Sequence, residues 1–585
     1  MKNKVLISND RAGELSRRAG ATLKASVLGI LLVGVCTAHA DPMLSSWFTA
    51  NTAKYARIYS STANRTTGIS TTTWTGQTLP TYAGVHEIDY SPNWVYIKST
   101  GLGGHVMGPW NNPNLPKNQG TSTSVYRFPR TVTISGTKTL TSLGALGFLV
   151  DGVAIFDTRD AFSYKNSSAT DATPMNMLAG DGIWNRDAWA NEAVSFDAAY
   201  AHQPPSGQYH CHASPLATRY LLGDNVKYDS STKLYAENLA TTTFKHSPLL
   251  GWLSDGIPLY GPYAYDGGST GAAGVATISG GSVTSVSISM GGSLYQSPPA
   301  VTFTGGGGSG ASATAVVSGG IVTGVTMVSG GSAYTSAPAV TIGGVRRMIS
   351  GYVKRDGSNG TTNLNTTGRQ SLPAWAALAQ GKPVVLSPTQ YGPSVNATYQ
   401  LGHYIEDYDY LGDLGYAQGS RTNAGGVLFD LNQYNARFCV TPEFPNGTWA
   451  YFVTILADGT PWYPYNVGRW FNGSPTGGIT TTSVMNADTP LAQYFKGATN
   501  VHEVLSAPAV KAASGNVTLS WSAVEGGTYQ VSASTNLSTW TTLASTVTAT
   551  NNAAATIETG AAASNPKRFY QVKRSSLATF DSNGY

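Results

Sequence analysis

Along this chain apolar and polar residues alternate in short runs bounded by Gly, Pro, Asn and Asp, the pattern of half-buried strands joined by turns. Val517-Thr518-Leu519-Ser520-Trp521, Tyr529-Gln530-Val531 and Phe569-Tyr570-Gln571-Val572 alternate at the spacing of a small β-sandwich, placed at 505–576. Between 267 and 344 the composition shifts to Gly, Ser, Ala, Thr and Val, and a 39-residue offset repeats the sequence. Gly280-Gly281-Ser282-Val283-Thr284 returns as Gly319-Gly320-Ile321-Val322-Thr323, and Gly291-Gly292-Ser293-Leu294-Tyr295 returns as Gly330-Gly331-Ser332-Ala333-Tyr334. Alternating Val and Thr between Gly-Gly turns predicts β-hairpins serving as a spacer or solenoid arm. A second echo joins Leu146-Gly147-Phe148-Leu149-Val150-Asp151-Gly152-Val153 to Leu250-Gly251-Trp252-Leu253-Ser254-Asp255-Gly256-Ile257, 104 residues later. In each copy Asp-Gly between strand-forming runs predicts a tight hairpin, so Asp151 and Asp255 read first as turn residues.

These patterns predict a mainly β protein with one discontinuous β-rich domain. Its parts are 80–266 and 345–475, interrupted by the Gly-rich insert 267–344 and followed by a linker 476–504, the sandwich 505–576 and a polar tail 577–585. Residues 41–79 form an N-terminal segment. Residues 1–40 read as a signal peptide: six basic residues against two acidic ones, an apolar run from Ala25 to Cys36, and Ala38-His39-Ala40 as the cleavage signature. The expected location is therefore periplasmic or extracellular, by the general secretory route or, given Ser16-Arg17-Arg18, the twin-arginine route. No later apolar run of membrane-spanning length occurs, so no stable membrane insertion is expected.

Removing residues 1–40 changes the charge balance. Of 36 basic and 31 acidic residues, 30 and 29 remain, so the mature chain is nearly neutral and has no basic run. That excludes nucleic acid as an expected partner and leaves an extracellular polysaccharide or a cell surface. No phosphate loop or nucleotide fingerprint is present, so no nucleotide cofactor is expected.

The candidate chemistry concentrates in Gln208-Tyr209-His210-Cys211-His212. In an extended segment His210 and His212 share one face and Cys211 takes the other. Two imidazoles on one face suit copper or zinc, with His202 completing a three-nitrogen site and Asp197 as a fourth ligand or an orienting partner. His105 or His246 stands as an alternative to His202. Cys211 and Cys439, the cysteines left after cleavage, are expected to form a disulfide; the alternative makes Cys211 a thiolate ligand. For metal-assisted hydrolysis the candidate general bases are Glu443 and Asp197. The acidic run Glu406-Asp407-Tyr408-Asp409 reads as a turn, a sugar-contacting surface or a calcium site.

The YHCH segment, His246-Ser247-Pro248-Leu249-Leu250-Gly251, Asp255-Gly256-Ile257-Pro258-Leu259-Tyr260-Gly261-Pro262 and Asn435-Ala436-Arg437-Phe438-Cys439-Val440-Thr441-Pro442-Glu443-Phe444-Pro445-Asn446-Gly447 resemble the YHYH domain family of secreted proteins. The chain departs from the pattern at Cys211, where the second Tyr stands, and at Ala436, where a Gly is usual. The Gly-rich insert resembles β repeats of bacterial surface and phage-tail-like proteins, and the C-terminal module resembles fibronectin type III or immunoglobulin-like domains. His-Cys-His also resembles the motif of multicopper oxidases, whose clusters need more histidines than the nine in this chain. The resemblance to the YHYH family implies a domain and not a reaction. The leading expectation is an exported metal-binding protein whose catalytic activity is open. The alternatives are a metal-assisted hydrolase on an extracellular polymer and a structural or adhesive surface protein.

Overall fold

The computed structural model describes residues 5–8 and 41–576, apart from 50–55, 72–73, 75–82, 112–113, 118–123, 241–243, 267–271, 294, 296, 421–422, 482–490, 497–508, 523–527, 544–545, 549–552 and 562–566. The predicted apolar run, the cleavage signature and the polar tail lie outside the described residues. The fold is mainly β, as the alternation predicts. No helix among the described residues is long and apolar enough to cross a membrane. The chain divides into two units, Ser46–Val501 and a second made of Met1–Ser45 with His502–Ala578.

The larger unit is organised by an eight-stranded sheet, β1 (Ala145–Leu149), β2 (Ala154–Phe156), β3 (Ala201–His202), β4 (His210–Cys211), β5 (Leu249–Leu253), β6 (Pro258–Tyr260), β7 (Ala436–Cys439) and β8 (Thr448–Phe452). Its order is β3-β4-β2-β1-β5-β6-β8-β7. The two Asp-Gly hairpins, β1–β2 and β5–β6, meet at the centre through antiparallel β1 and β5. Outward from each, the next strand is parallel and the last antiparallel, so the two halves are related by a pseudo-twofold. Gly147 and Gly251 sit where the hairpins cross, and a Cβ on either would come within 2.2 or 2.4 Å of a carbonyl oxygen of the other hairpin. Both Asp151 and Asp255 hold their turns, accepting from the backbone N–H of Val153 and Ile257. Both are also buried anchors, Asp151 accepting from Thr218 Oγ1 at 2.9 Å and Asp255 from the Tyr451 hydroxyl at 2.7 Å. Strands β1, β2, β5 and β6 are almost wholly buried, which is why they read as short apolar runs.

Three expectations change. The stretch 476–504, read as a linker, contributes Gly478–Thr481 and Ala492–Lys496 as the two edges of a five-stranded sheet with Ser124–Pro129, Trp94–Ser99 and Val85–Tyr90. Glu406, Asp407 and Asp409 are buried rather than presented to a sugar; Asp407 takes both arms of the Arg369 guanidinium at 2.7 Å. The disulfide is absent: Cys211 and Cys439 are both free and buried. They lie on β4 and β7, six strand steps apart, or about 29 Å along the sheet, whereas a disulfide needs Cα atoms within about 7 Å. Alternation had placed Cys211 on the correct face but carries no information on which distant strand lies behind it. Burial raises both thiol pKa values, so neither sulfur is expected to react with iodoacetamide in the folded protein. After unfolding without reductant both are expected to alkylate, as read by intact mass; a chain taking up no label then would restore the disulfide.

Within the Gly-rich stretch, Ala272–Ser279 pairs with Ser282–Gly291, and Ser309–Ser318 with Ile321–Ser332. The two hairpins close on each other reciprocally. Tyr295 N–H donates to Gly320 O and Tyr334 N–H to Gly281 O, the same contact made in both directions 39 residues apart. Ala300–Thr304 and Ala339–Ile342 pair about the same local twofold. Each of the two small cores borrows the tyrosine of the other repeat: Tyr295 lies with Ala315 and Val322, and Tyr334 with Ala276 and Val283.

The smaller unit has two sheets around one apolar core of Val517, Leu519, Trp521, Tyr529, Val531, Tyr570 and Val572, the alternating positions read from the sequence. Val5–Ser8, inside the predicted signal peptide, pairs with Lys567–Tyr570 in one of these sheets.

Candidate metal centre

The strand β4 does what alternation requires. His210 and His212 share one side, and Tyr209 and Cys211 face the other way, toward Asp197 and Asp151. The tight connection through Pro204, Pro205 and Gly207 folds β3 back on β4 so that His202 pairs directly with His210 across the strands. Cross-strand neighbours stand roughly 5 Å apart at Cβ, so a third imidazole joins the first two. His202, His210 and His212 are all buried, and one ligand nitrogen of each lies within 4.8 Å of the others.

Hydrogen bonds settle which nitrogens these are. His210 Nδ1 lies 2.8 Å from the Gln208 carbonyl oxygen and His212 Nδ1 lies 2.6 Å from that of Asp157. A carbonyl oxygen only accepts, so both Nδ1 atoms carry the proton. His202 Nδ1 lies 2.8 Å from Ser195 Oγ, whose own proton goes to the Glu192 carbonyl oxygen at 2.7 Å. Ser195 therefore accepts from His202. All three neutral imidazoles are left with bare Nε2 lone pairs, and those of His210 and His212 face each other at 3.0 Å.

Burial keeps the imidazoles neutral. It pushes His202 down to about 3, with the neighbouring His212 adding to the effect, and His210 well below its ordinary value. His212 falls to about 4, burial outweighing the opposing influence of Asp157. Two lone pairs pointed at one another across 3.0 Å repel unless a cation lies between them. Nitrogens about 2.05 Å from a tetrahedral zinc ion are themselves roughly 3.3 Å apart, close to the spacing found. Aromatic walls hold the rings in place: Phe156 stacks on His210 at 3.7 Å between centroids, and Phe196 packs edge-on to His202 at 4.6 Å.

A carboxylate that the sequence did not single out stands at this cluster. Glu192 Oε2 is 3.3 Å from His212 Nε2 and 3.7 Å from His202 Nε2. It ends the helix Ala188–Glu192, whose first turn is capped by Asp187 accepting from Ala190 N–H at 3.0 Å. The Tyr465 hydroxyl donates to Asp187 in turn, at 2.8 Å to Oδ1. Burial raises Glu192 to about 8, with Asp160 and Asp187 adding to the shift against Arg186. Ser195 is likewise new, since a lone serine between Val194 and Phe196 has no spacing that marks it.

The other sequence candidates are placed elsewhere. Both oxygens of Asp197 are taken by the N–H groups of Gly108, Ala199 and Ala201 and by the Tyr209 hydroxyl, so it holds the hairpin from behind. His105 meets that same Tyr209 hydroxyl at 3.1 Å, on the face opposite the cluster. His246 and Glu443 belong to the other half of the sheet. There His246 Nδ1 donates to Ser247 O, and Glu443 accepts from the Tyr260 hydroxyl at 2.8 Å. The register makes Arg437 the counterpart of His202 and Ala450 that of His210, so the second half carries no equivalent histidines.

No curated protein and no solved structure matches the chain. Residues 125–318 match the family described as YHYH protein, from the strand Ser124–Pro129 into the Gly-rich stretch. A YHYH domain is thus present in this chain, and Glu192, His202, His210 and His212 all lie inside it.

Proposed function

We propose that this is an exported protein whose YHYH domain binds one copper or zinc ion through the Nε2 atoms of His202, His210 and His212. The observation that carries the reading is the convergence of three Nε2 lone pairs whose tautomers are fixed by two carbonyl oxygens and a serine. Such fixed outer partners are what orient imidazoles toward a metal. A purely structural role would favour second nitrogens that meet donors, whereas those of His210 and His212 face each other at 3.0 Å. Export is supported by the charged, apolar and Ala-x-Ala pattern of residues 1–40. The hydrolytic alternative loses support for its two candidate bases, because Asp197 is saturated and Glu443 stands in the other half.

The test is metal content by mass spectrometry on the protein purified from its native compartment, beside a His210→Ala/His212→Ala variant. Near-stoichiometric copper or zinc that is lost in the variant is the expected result. A metal-free protein that also fails to take up added copper or zinc would overturn the reading and leave the histidines a packing role.

A further inference from the structure

Glu192 stands beside the imidazole cluster, with Oε2 3.3 Å from His212 Nε2 and 3.7 Å from His202 Nε2. Its carboxylate accepts no hydrogen bond from the described residues, and the groups within ionic distance are the Nε2 atoms of His202 and His212. Neither nitrogen carries a proton to donate, because both protons sit on Nδ1. Protonated, the carboxyl group can donate to one Nε2 atom; ionised, it faces two lone pairs; in either state the chain fixes its place. The capped helix Ala188–Glu192 fixes the backbone from one side. On the other, Ser195 joins the Glu192 carbonyl to His202 Nδ1. A cation at the focus of the three Nε2 atoms would take the place of that proton and turn the contact into coordination.

The four side chains also differ in access. That of Glu192 is 26% exposed, against 8% for His202 and 4% for His212. The imidazoles form the closed floor and the carboxylate forms the solvent side. We infer that Glu192 is the fourth ligand of the metal site and its displaceable one, closing the site and yielding its place to a small anion that enters from solvent. The inference rests on the metal-binding reading above. In the exchange one metal–carboxylate bond breaks as one metal–anion bond forms, with no change in oxidation state. Three imidazoles and an exchangeable position are the donor set of a site that keeps one position for an incoming molecule.

The experiment uses the full chain loaded with copper(II), with azide as the probe and its charge-transfer absorption as the readout. Glu192→Ala is expected to retain copper and bind azide about tenfold more tightly than the intact protein, since no carboxylate competes. Glu192→Gln keeps the size of the side chain but is a poor ligand, and is expected to follow Glu192→Ala; Glu192→Asp should fall between. Copper-loaded variants with the azide affinity of the intact protein would overturn the inference while leaving the three-histidine site standing. Glu192→Gln behaving as the intact protein would do the same, since side-chain bulk would then be enough. Failure of the intact protein to take up either added copper or added zinc, read independently by mass spectrometry, would remove both readings together.

Discussion

Added zinc or copper, at a thousandfold excess over its dissociation constant, is expected to stabilise the folded protein by about 4 kcal/mol. The same addition to His210→Ala/His212→Ala should leave the unfolding midpoint unchanged. The three Nε2 atoms converge only in the folded chain, so by linkage a ligand they hold favours that state. The measurement is urea unfolding with and without a chelator, followed on the transition of the larger unit, since two units need not unfold together. An equal shift in the variant would place the binding elsewhere, and the histidine cluster would lose its assignment.

Replacing Arg219 by methionine is expected to cost roughly 3–5 kcal/mol, the usual result of removing one partner from a buried ionic cluster. Arg219 is fully buried in the helix Leu216–Leu221, immediately after β4. Its guanidinium donates to Asp224 at 2.6 Å, to Ser214 at 2.8 Å and to both oxygens of Glu237. Methionine would leave two carboxylates in the interior with nothing to balance them. Thr218 of the same helix holds Asp151, so the damage is expected to reach the β1–β2 turn. Urea midpoints of the single variant and of Arg219→Met/Glu237→Gln test the account, and the second change should recover part of the loss. A cost below about 1 kcal/mol would mean that water reaches these carboxylates, contrary to the burial described.

Much of this was legible in the residues because β-structure writes its faces at a period of two. Alternation placed His210 and His212 together, and the Pro-Pro-x-Gly connection brought His202 opposite. The echo between residues 146–153 and 250–257 marked the two central hairpins, and Asp-Gly marked their turns. Glu192 was not legible, because its arrival depends on where a five-residue helix ends and at what angle, which no local pattern encodes. The expected Cys211–Cys439 bridge failed for the same reason: spacing along the chain does not say how many strands will be inserted between two positions in a sheet. Asp197, read as a fourth ligand, an orienting partner or a general base, spends its acceptors on the hairpin behind the histidines, which its nearness in sequence does not reveal.

The reciprocal closure of the two Gly-rich repeats has a consequence for how this stretch could change in length. In an open stack each unit covers the face of the next, so copies can be added one at a time. Here the tyrosine of each repeat fills the core of the other, and the contact is used up once it has been made in both directions. A third copy would arrive with an aromatic ring and no vacancy to receive it. The stretch is therefore built as a pair, and a single added repeat would leave its tyrosine without a core to enter.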